Sequence, residues 1–131
     1  MVYVNGVLGP KVASVTQNST NSKLALWAAN TYTGVTTVTA GTLGLSSFQG
    51  SAASSAITVN GGVLAIDSLN GASAASVTRA ASVTLNNGTT MTVTGGTANT
   101  QDVITGALTT EVTIDPISVA VYLPANSACA E

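Results

Sequence analysis

The side chains able to do acid–base chemistry in this chain are few: Asp67, Asp102, Glu111, Asp115 and Glu131, beside the cations Lys11, Lys23 and Arg79. There is no histidine. That removes the usual general base and the commonest metal ligand, and with them any Ser-His-Asp or Cys-His arrangement. A glycosidase or polysaccharide lyase gathers its carboxylates in one groove, often with Lys or Arg beside them. The acids here are dispersed along the chain, and solvated loop positions are expected for them. Gly61-Gly-Val-Leu-Ala-Ile-Asp67 holds glycines and an acid, but not at the Gly-Gly-x-Gly-x-Asp spacing that loads calcium into a β-roll. The lone Cys129 cannot close an internal disulfide and has no metal-ligand neighbours. It reads as a terminal thiol, with an intermolecular disulfide as the sharper alternative. The expected site is therefore empty: no catalytic, cofactor-binding or metal-binding residue, no cofactor and no enzyme.

The elements that would have to position any chemistry are short strands. Thr36-Thr-Val-Thr39, Ile57-Thr-Val-Asn60, Ser82-Val-Thr-Leu-Asn86, Thr90-Met-Thr-Val-Thr94 and Val112-Thr-Ile114 alternate with a period of two. β-branched residues dominate them, as a half-buried pleated surface prefers. Ala40-Gly41, Gly61-Gly62, Asn87-Gly88 and Gly95-Gly96 punctuate the intervals. In register, one strand carries Val38, then Ile57 and Val59, then Val83 and Leu85, then Val112 and Ile114. A second strand follows a tight corner and carries Leu43 and Leu45, then Leu64 and Ile66, then Met91 and Val93. The steps are 21 to 27 residues, in the range of solenoid coils. Evenly spaced antiparallel hairpins would share the Asn-Gly and Gly-Gly turns; repetition of the whole two-strand unit favours the solenoid. Stacked coils would bury Val on Val and Leu on Leu in a narrow core, which suits a chain with only Tyr3, Trp27, Tyr32, Phe48 and Tyr122 as aromatics.

Three domains of organisation are expected: an off-pattern segment over 1–14, the solenoid over 15–115, and an off-pattern tail or cap over 116–131. Within the solenoid, Ser51–Ala56 and Ala72–Ser76 read as the longer loop of each coil. Thr37-Val-Thr39, Ser82-Val-Thr84 and Thr90-Met-Thr-Val-Thr94 resemble the outward Thr-x-Thr rows of ice-binding solenoids. The row decays to Thr58-Val-Asn60 and Thr113, so Thr is read as filling outward strand positions that fit its branched side chain.

Composition excludes some partners. Charged residues make up 6% of the 131 and the net charge is −2, so repulsion between copies is weak and end-to-end self-association is favoured. Three dispersed basic residues make no nucleic-acid footprint. No apolar run is long enough for a membrane-spanning helix, and Met1–Leu8 lacks the features of a signal peptide. The sequons at Asn18-Ser-Thr and Asn87-Gly-Thr are expected to stay unmodified.

Over Asn30–Leu45 the chain resembles the autotransporter-associated β-strand repeat of type V secreted passenger domains. The residues that carry the match are Asn30, Tyr32, Gly34, Thr36-Thr37-Val38, Ala40-Gly41-Thr42-Leu43 and Leu45. Lys23-Leu-Ala-Leu26 is similar to the strand that leads into that repeat, and Ile57-Thr-Val-Asn-Gly-Gly-Val-Leu64 to its linking coils. The resemblance implies a right-handed parallel β-helix held outside the bacterial cell, and it brings no catalytic residues. Trp27 and Ala28 depart from it, standing where the family has a small polar residue or Gly. The translocating barrel that closes such proteins needs at least about eight strands, more than follow the repeats here. Function is expected to be structural: a stalk or adhesin segment, with a host-surface or matrix glycan as partner. A self-assembling subunit of an extracellular fibre is the alternative, and a carbohydrate-active β-helix enzyme a disfavoured one.

Overall fold

Parallel strands, stacked coil upon coil, make up the whole described fold. The computed structural model describes residues 1–46, 50–67, 77–94 and 102–110, with the backbone of 121–122. Its strands are β1 (Val2–Val4), β2 (Ser14–Leu26), β3 (Val35–Ser46), β4 (Ala52–Val59), β5 (Val63–Asp67), β6 (Val77–Leu85), β7 (Thr90–Thr94), β8 (Asp102–Ile104), β9 (Leu108–Thr110) and β10 (Val121–Tyr122). Every pairing among them is parallel. The result is a β-solenoid of about four turns.

Each coil has three faces. The first is formed by the start of β2 and β3, the ends of β4 and β6, and β9. The second holds β1, the ends of β2 and β3, β5 and β7. The third holds the starts of β4 and β6, then β8 and β10.

The second-face columns are those expected from Leu43 and Leu45 onward, and Leu24 and Leu26 extend them by one coil. Leu24 lies over Leu43, Leu64 and Met91, and Leu26 over Leu45, Ile66 and Val93. The first-face columns Val38–Val59–Leu85 and Ile57–Val83 also hold. All but the half-buried Leu24 are fully buried. Alternate positions of each strand point the same way, so like packs on like without a gap in register.

Two expectations change. The strand over Val83–Leu85 pairs next with Leu108–Thr110, not with Val112 and Ile114, which lie outside the described residues. Leu108 shares no obvious phase with its neighbours in sequence, because Ala107 and Gly106 break the alternation ahead of it. Ser51–Ala56 is not a loop: Ala52 opens β4 and pairs with Ala80, and a bulge between Ala52 and Ala56 follows. Small residues there serve a third face that alternation of large apolar residues could not advertise. Ala72–Ser76, Gly95 and Gly96 lie outside the described residues.

The N-terminal segment, which shows no repeat in sequence, also joins the stack. Val2, Tyr3 and Val4 pair with Leu24, Ala25 and Leu26. Leu8 then accepts from the amides of Thr31 and Tyr32. Val121 and Tyr122, in the tail, pair with Asp102 and Val103 and continue the third face.

The corner between the first and second faces depends on glycine. Gly41 and Gly62 have φ of +73° and +81°, where an L side chain is strained by roughly 1–2 kcal/mol. They also sit one above the other. A Cβ on Gly62 would run into the carbonyl of Gly41, and one on Gly41 into the carbonyl of Ser19. In the coil before, the corner is longer, and the stack restarts at Lys23 over Thr42. Gln17 holds that longer corner: its amide donates to the carbonyls of Ser22 and Thr42, each at 3.0 Å.

Gly41→Ala is expected to lower stability by about 2–4 kcal/mol in urea unfolding, strain and backbone collision together. Gly6→Ala, with nothing near its Cβ, is the control and should stay within about 0.5 kcal/mol.

Candidate functional site

Four of the eight charged side chains are placed by the structure in ion pairs, and both pairs join separate coils. Lys23 Nζ lies 2.6 Å from Asp67 Oδ2. The two are 44 residues apart, two coils. Between them the stem of Lys23 passes over Gly44 of the intervening coil, where a Cβ would press on its Cε. Both groups remain partly open to water, so the pair contributes at most about 1 kcal/mol.

The second pair is inside. Arg79 Nε donates to Asp102 Oδ1 at 2.7 Å, with side chains 0% and 1% exposed. Arg79 Nη1 donates to the carbonyl of Gly50, in the coil on the other side. One guanidinium thus ties three successive coils of the third face. Its planar fork of donors is suited to that. The solvated loop position expected for Asp102 is therefore corrected: it is a buried structural anion. The expectation failed because spacing along the chain hides stacking. The pair is 23 residues apart, one coil, and opposite charges at one or two coil lengths are the signal that would have found both pairs. Asp67 likewise lies at the end of β5, not in a free loop. Glu111, Asp115, Glu131 and Cys129 lie outside the described residues.

Other buried polar groups act as clamps. Asn30 accepts from the Leu8 amide at 2.7 Å and donates to Ala28 O at 3.1 Å and Ser51 O at 2.9 Å. It thereby holds the N-terminal segment, its own coil and the next. Tyr32 Oη and Thr36 Oγ1 are 2.6 Å apart, and Thr36 Oγ1 and Ser55 Oγ 2.7 Å. Ser55 Oγ donates to Gly34 O at 2.6 Å. With one proton per hydroxyl, the chain runs Tyr32 to Thr36 to Ser55 to Gly34. No buried side-chain nitrogen or oxygen among the described residues lacks a partner, as a low-dielectric interior demands.

The outward first face is the broadest regular surface. Thr16 lies over Thr37, Thr58, Thr84 and Thr109, a column five deep. The column runs on through Thr58 to Thr109, while the Thr-x-Thr row is lost at Asn60; Thr113 lies outside the described residues. The columns on either side are mixed: Ser14 over Val35 and Ala56 over Ser82 on one, Thr39 bonded to Asn18 and Asn86 to Asn60 on the other. Among the described residues this face has one threonine column and no Thr-x-Thr pair of columns, which accords with threonine filling outward strand positions. Among the described residues no three His, Cys, Asp or Glu side chains come together as metal ligands would, and no helix is long and apolar enough to cross a membrane.

No family model, no curated protein and no solved structure matches the chain. The likeness to the autotransporter repeat rests on the residues that carry it, Asn30 to Leu45.

Two predictions follow from the buried polar groups. Asp102→Ala strands the Arg79 charge inside and should cost about 3–5 kcal/mol, whereas Arg79→Met with Asp102→Leu should recover most of that loss in urea unfolding. Burial raises the pKa of the Tyr32 phenol above its ordinary 10.0, against the opposing hydrogen bonds with Thr36 and Ser55. The folded state therefore holds that proton more tightly than the unfolded chain. The resulting stability is complete below pH 10.0 and is lost as pH rises through the higher folded-state value. Tyr32→Phe should remove this part of the alkaline loss in a series of unfolding curves.

Proposed function

We propose that this chain is a structural, non-catalytic solenoid segment held outside a bacterial cell, extending or displaying what it is joined to. The observation that carries the reading is the use made of charge. In a chain with 6% charged residues, Lys23, Asp67, Arg79 and Asp102 are all taken up in pairs that join coils. Catalysis needs carboxylates that converge on a groove with their reactive oxygens available. A stalk needs coils that cannot slip, and each of these contacts resists slippage.

Extracellular placement is supported by the resemblance of Asn30–Leu45 to the autotransporter repeat. Adhesion would be broad and weak, spread over the threonine column and the flanking Ser and Asn side chains. A host-surface or matrix glycan, itself rich in hydroxyls, is the partner class such a surface suits.

The test is antibody labelling of intact producing cells, with and without protease shaving of their surface. Labelling of intact cells that shaving abolishes is expected. Labelling only after lysis would overturn the extracellular reading. Incubation of the purified chain with a polysaccharide panel should release neither reducing ends nor unsaturated products; turnover of any member would overturn the non-catalytic one.

A further inference from the structure

Four asparagines stand directly before a glycine: Asn5, Asn60, Asn70 and Asn87. In that dipeptide the side-chain amide is open to attack from the backbone. Glycine has no Cβ to shield its amide nitrogen or to restrict the chain around it, so the nitrogen reaches the asparagine Cγ. Asn70 lies outside the described residues. The other three asparagines are all exposed, and it is the backbone that separates them.

Asn60-Gly61 is held by the stack. The amides of Asn60 and Gly61 both donate to Val38 O, at 2.8 and 3.2 Å. A Cβ on Gly61 would come within 2.4 Å of Thr39 O, so this corner lies hard against the preceding coil. The Asn60 side chain is tethered as well: its Oδ1 accepts from Asn86 Nδ2 at 2.6 Å.

Asn87-Gly88 and Asn5-Gly6 are open. Asn87 and Gly88 project from the turn that joins β6 to β7, which is closed beneath them by Thr89 N and Thr89 Oγ1 donating to Asn86 O at 3.2 and 2.6 Å. Gly88 has φ of +82°, and no atom lies within 4 Å of where its Cβ would stand. Asn5-Gly6 follows β1 with the same open space around Gly6. Among the described residues the Gly6 and Gly88 amides donate no hydrogen bond.

We infer that Asn5 and Asn87 are sites of spontaneous deamidation and that coil stacking protects Asn60. The glycine amide gives its proton to hydroxide, and its nitrogen attacks the asparagine Cγ. As the new N–Cγ bond closes a cyclic succinimide, the Cγ–Nδ2 bond breaks and ammonia leaves, taking a proton from water. Water then opens the ring at either carbonyl and leaves aspartate or isoaspartate. Water is the net co-reactant, and no oxidant or reductant enters. Each event adds one negative charge outside the strands. The two together double a net charge of −2, which raises the repulsion between copies.

The experiment incubates the full chain in mildly alkaline buffer, folded and in denaturing urea, with circular dichroism confirming each state. Samples are digested with pepsin in acid, and conversion at each asparagine is read by tandem mass spectrometry with isoaspartate-specific fragment ions. The urea arm supplies each site's own unfolded rate, so the effect of neighbouring residues cancels. Asn5 and Asn87 are expected to convert in the folded chain within about threefold of their rates in urea, and Asn60 at least about tenfold more slowly than in urea, because the Gly61 hydrogen bond must break first. Conversion of Asn60 in the folded chain at its urea rate would overturn the inference. So would tenfold protection of Asn5 or Asn87 by folding.

Discussion

Everything in this molecule depends on parallel, in-register stacking, in which each residue lies over its counterpart one coil away. A single coil has no interior. Only when Leu43 covers Leu24 and is covered by Leu64 does apolar area leave water, at about 25 cal/mol per Å². The gain is shared between neighbours and exists only in one register, because a slip of one residue would turn each buried column outward. The narrow core follows from the same constraint: with two inward columns per face there is room for Leu, Val and Ile, and Tyr32 is the one aromatic among the fully buried side chains described.

Register is then enforced by polar groups that tolerate no alternative. Apolar columns of similar residues would accept a shift by a whole coil or a slide at a corner; hydrogen-bonding groups would not. Asn30 spans three segments, Gln17 closes the corner between Asn18 and Lys23, and Arg79 reaches both the coil before and the coil after. A buried pair such as Arg79–Asp102 is weak evidence for stability, since desolvation offsets much of the attraction. Its contribution is to make the wrong arrangements expensive, because any of them leaves a bare charge inside. Glycine at the corners completes the constraint from the steric side: Gly41 and Gly62 approach so closely that only one path of the chain fits.

Much of this was legible in the residues. The second-face columns could be read because Leu43, Leu45, Leu64, Ile66, Met91 and Val93 alternate cleanly after a small-residue corner. Asn30 and Gly41 marked the strongest repeat unit, and the structure shows what they do there. The third face was not legible. Ala52, Ala80 and Ser55 carry too little apolar contrast to show a period, and bulges between Ala52 and Ala56 and between Thr78 and Ala80 break what period there is. The N-terminal strand was hidden for another reason: Val2-Tyr-Val4 is a single short element with no preceding copy to compare.

The sequence by itself determined the class of fold, because a period of two, repeated with glycine corners every 21 to 27 residues, has few packed solutions other than a solenoid. It also determined the scarcity of acid–base groups, a matter of composition. The tertiary structure alone decided which charges meet, which strand follows β6, and that five threonines share one column. Those are relations between residues a coil or more apart. Their distances are fixed by corner lengths and bulges, and a change of one or two residues in a corner reassigns every partner beyond it.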